Sequence, residues 1–421
     1  MLLCLYKTNL SKYYLNKYIA AKETMIFEFS NPLIQLFLVL LIVLITLFGT
    51  QWLKNRLGLP KIIGYIFAGL LIGPSGLGIF NKNISLELAP IIDILIGIVF
   101  YELGRRINLS WVWQQKKVLL SYLALIAALF FMQLIYLLLF DVTPLIAWMV
   151  SAIVMSTSPA VILQTIKENK AEGQLTEHLI SLVALGNVIA YLLYSAALSL
   201  VHFEQTNVIA GLFIEPLQKI AGSILIGWLL AITINRVSNY IKPDTDNQHL
   251  IIMTALTMVI ILSGLFKMSV LTCLLCFGLF VNIHTYKPNL HKDDLGIFST
   301  LAYILIFIFA GINIDIFAIN ADLIGIAVGV IALRLAIPYF WGMIFYRYLN
   351  INFKKVILLG VSLSPLSGIA ILMLHDVGSF YPELSLKLNS LLVMVVLIME
   401  FAGPLLIKWA LLKSGEGERR A

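Results

Sequence analysis

Charge is scarce in this chain. Asp, Glu, Lys and Arg make up 12% of its 421 residues, apolar residues make up 60%, and the mean hydropathy is +0.96. A soluble domain carries roughly 25% charged residues, so this chain has too few to cover a surface facing water. A cytosolic enzyme and a disordered protein are both excluded. Cysteine is scarcer still: Cys4, Cys273 and Cys276 are the whole set, too few for a secreted disulfide scaffold. Cys273 and Cys276 form a CxxC inside an apolar run, where packed thiols are expected rather than a redox or zinc pair. The six histidines fall at the ends of apolar runs or in loops, and no pair has helical metal-ligand spacing. No cofactor is expected, and no resident metal. The net charge of +7 is scattered over run ends, so no patch for nucleic acid forms.

Long hydrophobic runs are what the chain has in abundance. Thirteen are legible, at 32–53, 59–80, 88–104, 118–140, 144–165, 179–202, 208–234, 249–266, 269–283, 296–317, 321–346, 355–375 and 387–411. A membrane crossing takes ~20 apolar residues, and lipid offers no partner for loose backbone groups, so each run is expected to be helical. A period of two, the mark of a membrane barrel, is absent from these solidly apolar runs. Counting those at run edges, 20 Lys and Arg follow the odd-numbered runs or lie in the C-terminal tail, against 3 on the other side. The positive side is cytoplasmic, which puts the C-terminus inside and the N-terminus outside. Residues 1–31 disagree, because Lys7, Lys12, Lys17 and Lys22 fall on the supposed outer side. The expectation is that residues 1–24 precede the true start at Met25, the alternative being an amphipathic helix lying on the membrane surface.

Two runs carry a helix breaker near their middle. The fifth contains Thr157-Ser158-Pro159, and the twelfth contains Ser364-Pro365 followed by Ser367 and Gly368. Proline removes a backbone donor and clashes with the preceding turn, and nearby hydroxyls can pair with the freed carbonyls. The two Ser-Pro pairs lie seven runs apart, so the two segments cross in opposite directions. That pattern reads as an all-α membrane protein of about 13 transmembrane helices, an inverted repeat with two crossed discontinuous helices. In domain terms, residues 1–31 are a tail, 32–207 a first repeat, 208–248 a linking helix and loop, 249–412 a second repeat and 413–421 a cytoplasmic tail. Two kinks arising by chance are the competing explanation, since proline is common in membrane helices.

Residues 58–80 (GLPKIIGYIFAGLLIGPSGLGIF) resemble the second-helix signature of the monovalent cation:proton antiporter superfamily, in its Kef-type and sodium/hydrogen exchanger branch. Further segments fall in that family's order: IGIVFYELGRRINLSW, STSPAVILQTIKE, MSVLTCLLCFGLFVN, FIFAGINIDI and GPLLIKWALLKSGE. The likeness covers about residues 32–416, without the nucleotide-binding domain of Kef-type channels. It implies a core domain with crossed broken helices, a dimerisation domain and therefore a homodimer, alternating access, and exchange of Na⁺ or K⁺ for H⁺ in a bacterial inner membrane.

The resemblance also exposes an absence. In the family a carboxylate follows the broken helix, holding a cation as the anion and releasing it when protonated. The matching stretch, LISLVALGNVIAYLLY, has Asn187 at that position and no Asp or Glu anywhere. Asn187 can offer an amide oxygen but cannot exchange a proton near neutral pH. The candidate ion site is then Thr157, Ser158, Asn187, Ser364 and Ser367, with Pro159 and Pro365 as the helix breaks. Of the charged groups inside the runs, Glu102 reads as an end pair with Arg105 and Arg106, and Asp93, Arg334 and Glu400 are the candidates for charge balance or proton relay. An intramembrane charge normally has a partner, and for Arg334 two arrangements stay open: facing a half-helix C-terminus, or pairing with Asp93 or Glu400. Three functions follow: a cation:proton antiporter, a same-fold transporter without proton coupling, and a transport-dead or sensory protein.

Overall fold

The computed structural model describes residues 44–52, 59–76, 89–107, 114–206, 210–240, 245–284, 297–313, 323–366 and 382–417, with residues 41, 54 and 56. Beyond a helical stretch at 44–52, the helices in chain order are α1 (Lys61–Ile72), α2 (Ala89–Arg106), α3 (Lys116–Leu139), α4 (Pro144–Met155), α5 (Pro159–Asn169), α6 (Gln174–Thr206), α7 (Ala210–Tyr240), α8 (Thr245–Leu265), α9 (Val270–His284), α10 (Ile297–Asn313), α11 (Ile324–Phe345), α12 (Phe353–Ser362) and α13 (Pro382–Ser414). Among the described residues no strand forms, and one antiparallel bridge pairs Thr157 with Leu366. The protein is an all-α membrane protein. Segments within α3, α6, α7, α11 and α13 are long and apolar enough to cross a bilayer, and α1, α4, α8, α9 and α10 contain shorter apolar segments. The outer surface carries exposed Phe48, Leu139, Leu265 and Ile344, the covering that suits lipid rather than water.

The helices sort into two packing groups. In one, α2 packs on α9, α9 on α7, α8 on α7 and α9, and α10 on α1 and α2. In the other, α4 packs on α3 and α6, α11 on α3, α12 and α13, and α13 on α5. Glycine sets the closest approaches in the first group. A Cβ at Gly69 of α1 would meet Ile308 O of α10, and one at Gly311 of α10 would meet Ile66 O of α1. Gly104 of α2 and Gly278 of α9 face each other's helix in the same reciprocal way. Lipid gives apolar helices no hydrophobic reason to associate, so small residues that let backbones touch take over that role. Inside the first group Glu102 is buried, and its carboxylate accepts from Ser299 Oγ and from Tyr303 Oη at 2.6 Å. It fastens α2 to α10.

A latch closes one end of the second group. Glu416, just past α13, accepts from Leu175 N and Thr176 N, both at 2.9 Å, from Thr176 Oγ1 at 3.0 Å and from Lys355 Nζ at 2.7 Å. Its carboxylate does for α6 what an N-cap side chain does, meeting backbone N–H groups of the first turn. Gly173 (φ +150°) precedes that turn because a Cβ there would run into the carboxyl group. Burial pushes the Glu416 carboxyl up, but Lys355 and the α6 donors outweigh it and hold the group below its ordinary value. A depressed carboxylate contributes stability that is present above its unfolded value and lost as pH falls through the folded one. Thermal unfolding in detergent should therefore lose stability between about pH 5 and pH 3, in part through this group. Glu416→Gln should cost roughly 1–2 kcal/mol at neutral pH and flatten that acid limb. An unchanged acid limb in the variant would remove the latch from the account.

Candidate functional site

Pro159 makes the first break. It has no N–H to offer, and the residue before a proline is pushed out of the helical region. Ser158 accordingly sits at φ −69°, ψ 108°, and its Oγ caps α5 by accepting from Val161 N at 3.3 Å. α4 ends at Met155, and Ser156 to Ser158 run extended between the two half-helices. On the other side α12 ends at Ser362, and Leu363 to Leu366 leave the helix. The two non-helical segments meet, with Thr157 and Leu366 paired antiparallel. Ser158 N donates to Pro365 O at 3.1 Å, and Thr157 Oγ1 donates to Leu363 O at 3.4 Å. Ser367 and Gly368 lie outside the described residues, as does the side chain of Asp93.

Two helix C-termini meet at this crossing, so partial negative charge collects there. Arg334 of α11 is the answer to it. Its guanidinium donates to Val154 O, to Ser156 O (2.8 Å), to Leu363 O and Ser364 O (3.2 Å each) and to Pro365 O (2.8 Å). One planar fork thus closes the ends of α4 and α12 together, with Thr157 Oγ1 at 3.5 Å from the same nitrogen that reaches Pro365. Arg334 is 2% exposed. No carboxylate is bonded to it among the described residues; the backbone itself supplies the compensating charge.

Asn187 approaches from α6. Its Nδ2 donates to Thr157 O at 2.8 Å and to Val183 O at 2.9 Å. Both partners are carbonyls, so the nitrogen must face them and Oδ1 must face away. That oxygen is buried without a partner among the described residues. Asn187 lines a narrow gap between the two helix groups with Phe100 of α2, Tyr191 of α6, and Thr272 and Leu275 of α9. Ser364 Oγ, in the crossing itself, and Glu400 Oε2 are likewise buried without a partner among the described residues. Glu400 is 2% exposed on α13. Three residues on, a Cβ at Gly403 would come within 2.7 Å of Pro365 Cα. Residues three apart share a helix face, about 4.5 Å apart along the axis. Glu400 therefore stands roughly one turn from the place where α13 rests on the crossing.

A profile of the family described as sodium/hydrogen exchanger, transmembrane, matches residues 30–413. The chain belongs to the sodium/hydrogen exchanger family. Its fold is similar to that of two solved sodium proton antiporter structures. The sodium proton antiporter MjNhaP1 from Methanocaldococcus jannaschii, in its structure at pH 8, is similar at a TM-score of 0.64 and 16% identity, over 90% of this chain and 95% of that one. An electron-microscopy structure of MjNhaP1 is similar at a TM-score of 0.70 and 15% identity, over 93% of this chain and 100% of that one. No curated protein matches by sequence.

Within this exchanger, Thr157, Ser158, Asn187, Ser364, Pro159, Pro365 and Arg334 are brought to one junction. Glu400 is on α13, roughly one turn from where that helix meets Pro365. The carbonyls of Val154, Ser156 and Leu363 were not among the sequence candidates, and backbone atoms leave no signal in residue identity. Thr272 and Phe100 were missed too. They come from a different packing group, and neither carries a breaker or charge that would single it out.

Proposed function

We propose that this exchanger moves a monovalent cation, Na⁺ or K⁺, in exchange for protons by alternating access at the crossing. The observation that carries this reading is the division of oxygens there. Arg334 occupies the C-terminal carbonyls, which removes them as ligands, while Asn187 Oδ1, Ser364 Oγ and Glu400 Oε2 stay buried and open. The amide and hydroxyl oxygens suit a weakly held cation. Glu400, the buried carboxyl group beside them, is the proton carrier, in place of the acid the family has at position 187. Arg334 is fixed structural charge. The gap between the two helix groups at Asn187 is the place where one group would slide on the other. On the Lys and Arg asymmetry the C-terminus faces the cytoplasm of a bacterial cell, and the working unit is a homodimer.

Vesicles containing the purified protein and a pH-sensitive dye test this. A Na⁺ or K⁺ gradient should drive proton movement. The neutral side chain at 187 favours one second reading, cation flux without protons, which the same vesicles would report as ion movement with a silent dye. No flux of either kind would mean that the fold is kept and transport lost.

Asn187→Asp probes the junction directly. A carboxylate facing Thr157 O and Val183 O must carry a proton or turn away, so cation binding should become or grow pH-dependent and the melting temperature should fall. Calorimetry at two pH values reads the first effect. Identical titrations for the variant and the parent would mean that the ion does not bind at 187.

A further inference from the structure

Away from the crossing, a second feature is built at the ends of α3 and α11. Lys116 and Lys117 open α3, and Arg347 lies in the 3₁₀ turn Tyr346–Tyr348 directly after α11. All three are exposed, and they line one cleft with Gln115, Tyr346 and Tyr348 and, among the described residues, with no Asp or Glu. The walls are held in place. Trp341 Nε1 of α11 donates to Ser121 O of α3 at 2.7 Å, and its ring stacks on Phe345. Arg347 Nε donates to Tyr346 Oη at 3.1 Å while the guanidinium lies over the Tyr346 ring at 5.7 Å. Arg347 lines the cleft, and its terminal nitrogens make no bond among the described residues. No side chain caps the start of α3, so free N–H groups and the helix dipole add to the positive field.

The surface changes character within two turns. Leu120 of α3 is 66% exposed, and Phe340 and Ile344 of α11 are 60% and 68% exposed. Cations and tyrosines at the rim of an apolar wall form the profile of a membrane interface. We propose that this cleft binds the phosphodiester headgroup of an anionic membrane lipid. The phosphate sits among Lys116, Lys117 and Arg347, and an acyl chain lies over Leu120, Phe340 and Ile344. A dissolved phosphate offers the same charge but makes no use of the apolar wall, which is why the lipid is the occupant. The site needs neither cation transport nor Glu400. Its consequence is mechanical, because α11 also carries Arg334, so a bound lipid ties the helix that closes the crossing to one leaflet.

The test uses the purified full chain in detergent, with dioleoyl phosphatidylglycerol, dioleoyl phosphatidylcholine or inorganic phosphate added. Retained lipid is counted by native mass spectrometry, and thermal unfolding follows stabilisation. Phosphatidylglycerol should be retained and should stabilise, and the other two should not. The triple variant Lys116→Gln, Lys117→Gln, Arg347→Gln should bind phosphatidylglycerol about 100-fold more weakly. The charge-keeping variant Lys116→Arg, Lys117→Arg, Arg347→Lys should hold it within a few-fold. If the neutral triple variant does not fold, the single variants Lys117→Gln and Arg347→Gln each carry the test, with about a fivefold loss expected. Equal affinity in the neutralised proteins overturns the proposal. Equal stabilisation by phosphatidylcholine, or by phosphate alone, overturns it as well.

Discussion

Arg334→Met should loosen the centre of the molecule more than any other single substitution. The guanidinium is the shared partner of five carbonyls, two near the end of α4 and three following α12. Hydrogen bonds to a charged group are worth about 1.5–3 kcal/mol each in net terms, and removing one side of a buried charged network costs about 3–5 kcal/mol. The carbonyls left behind have no water to turn to. A loss of about 3–5 kcal/mol is therefore expected, read as early thermal unfolding in detergent and poor recovery in a monodisperse peak. Arg334→Lys should recover part of it, because an ammonium keeps the charge but has three donors and no planar fork. An Arg334→Met protein that melts with the parent would remove the guanidinium from its place as the clasp.

Glu400→Gln should do the opposite: keep the fold and remove the coupling. The two side chains have nearly the same shape, and Oε2 has no bond to lose among the described residues. A buried carboxylate without a partner is costly, and its neutral isostere is not, so the melting temperature should hold or rise. Proton movement driven by a cation gradient should fall by about 100-fold, the low end of what losing a positioned proton-transfer group costs. Glu400→Asp should keep a fraction of the exchange. Parental coupling in Glu400→Gln would put the proton on another group, with Asp93 of α2 the next intramembrane carboxyl to test. Together the two variants separate the roles at the crossing, since one changes stability and the other changes coupling.

Much of the fold can be read along the chain. The apolar runs mark the helices because partition into lipid depends on local composition, and α3, α6 and α11 fall close to the runs at 118–140, 179–202 and 321–346. The break after Met155 could be placed at Thr157-Ser158-Pro159 because a proline acts on its own turn. The site was legible in pieces. Asn187 stood out through the resemblance, as a neutral residue where an acid is usual. Its orientation did not, because that is decided by two carbonyls, one of them thirty residues away. For Arg334 the sequence allowed a carboxylate partner or a helix end, and residue types alone could not choose, since backbone oxygens are invisible in a list of side chains.

The sequence by itself determined the solvent of this protein, the number and rough limits of its apolar runs, the two places where helices break and the absence of an acid from the run around Asn187. Each of these is a property of a short stretch of chain. Tertiary structure decided which carbonyls Arg334 clasps, that α13 meets Pro365 at Gly403, one turn from Glu400, that Glu416 caps a helix 241 residues earlier and that three cations share a cleft between α3 and α11. Those depend on the rotation and depth at which packed helices meet. Uniformly apolar runs leave both undetermined, because lipid accepts every face of such a helix equally and only close packing and paired polar atoms choose among them.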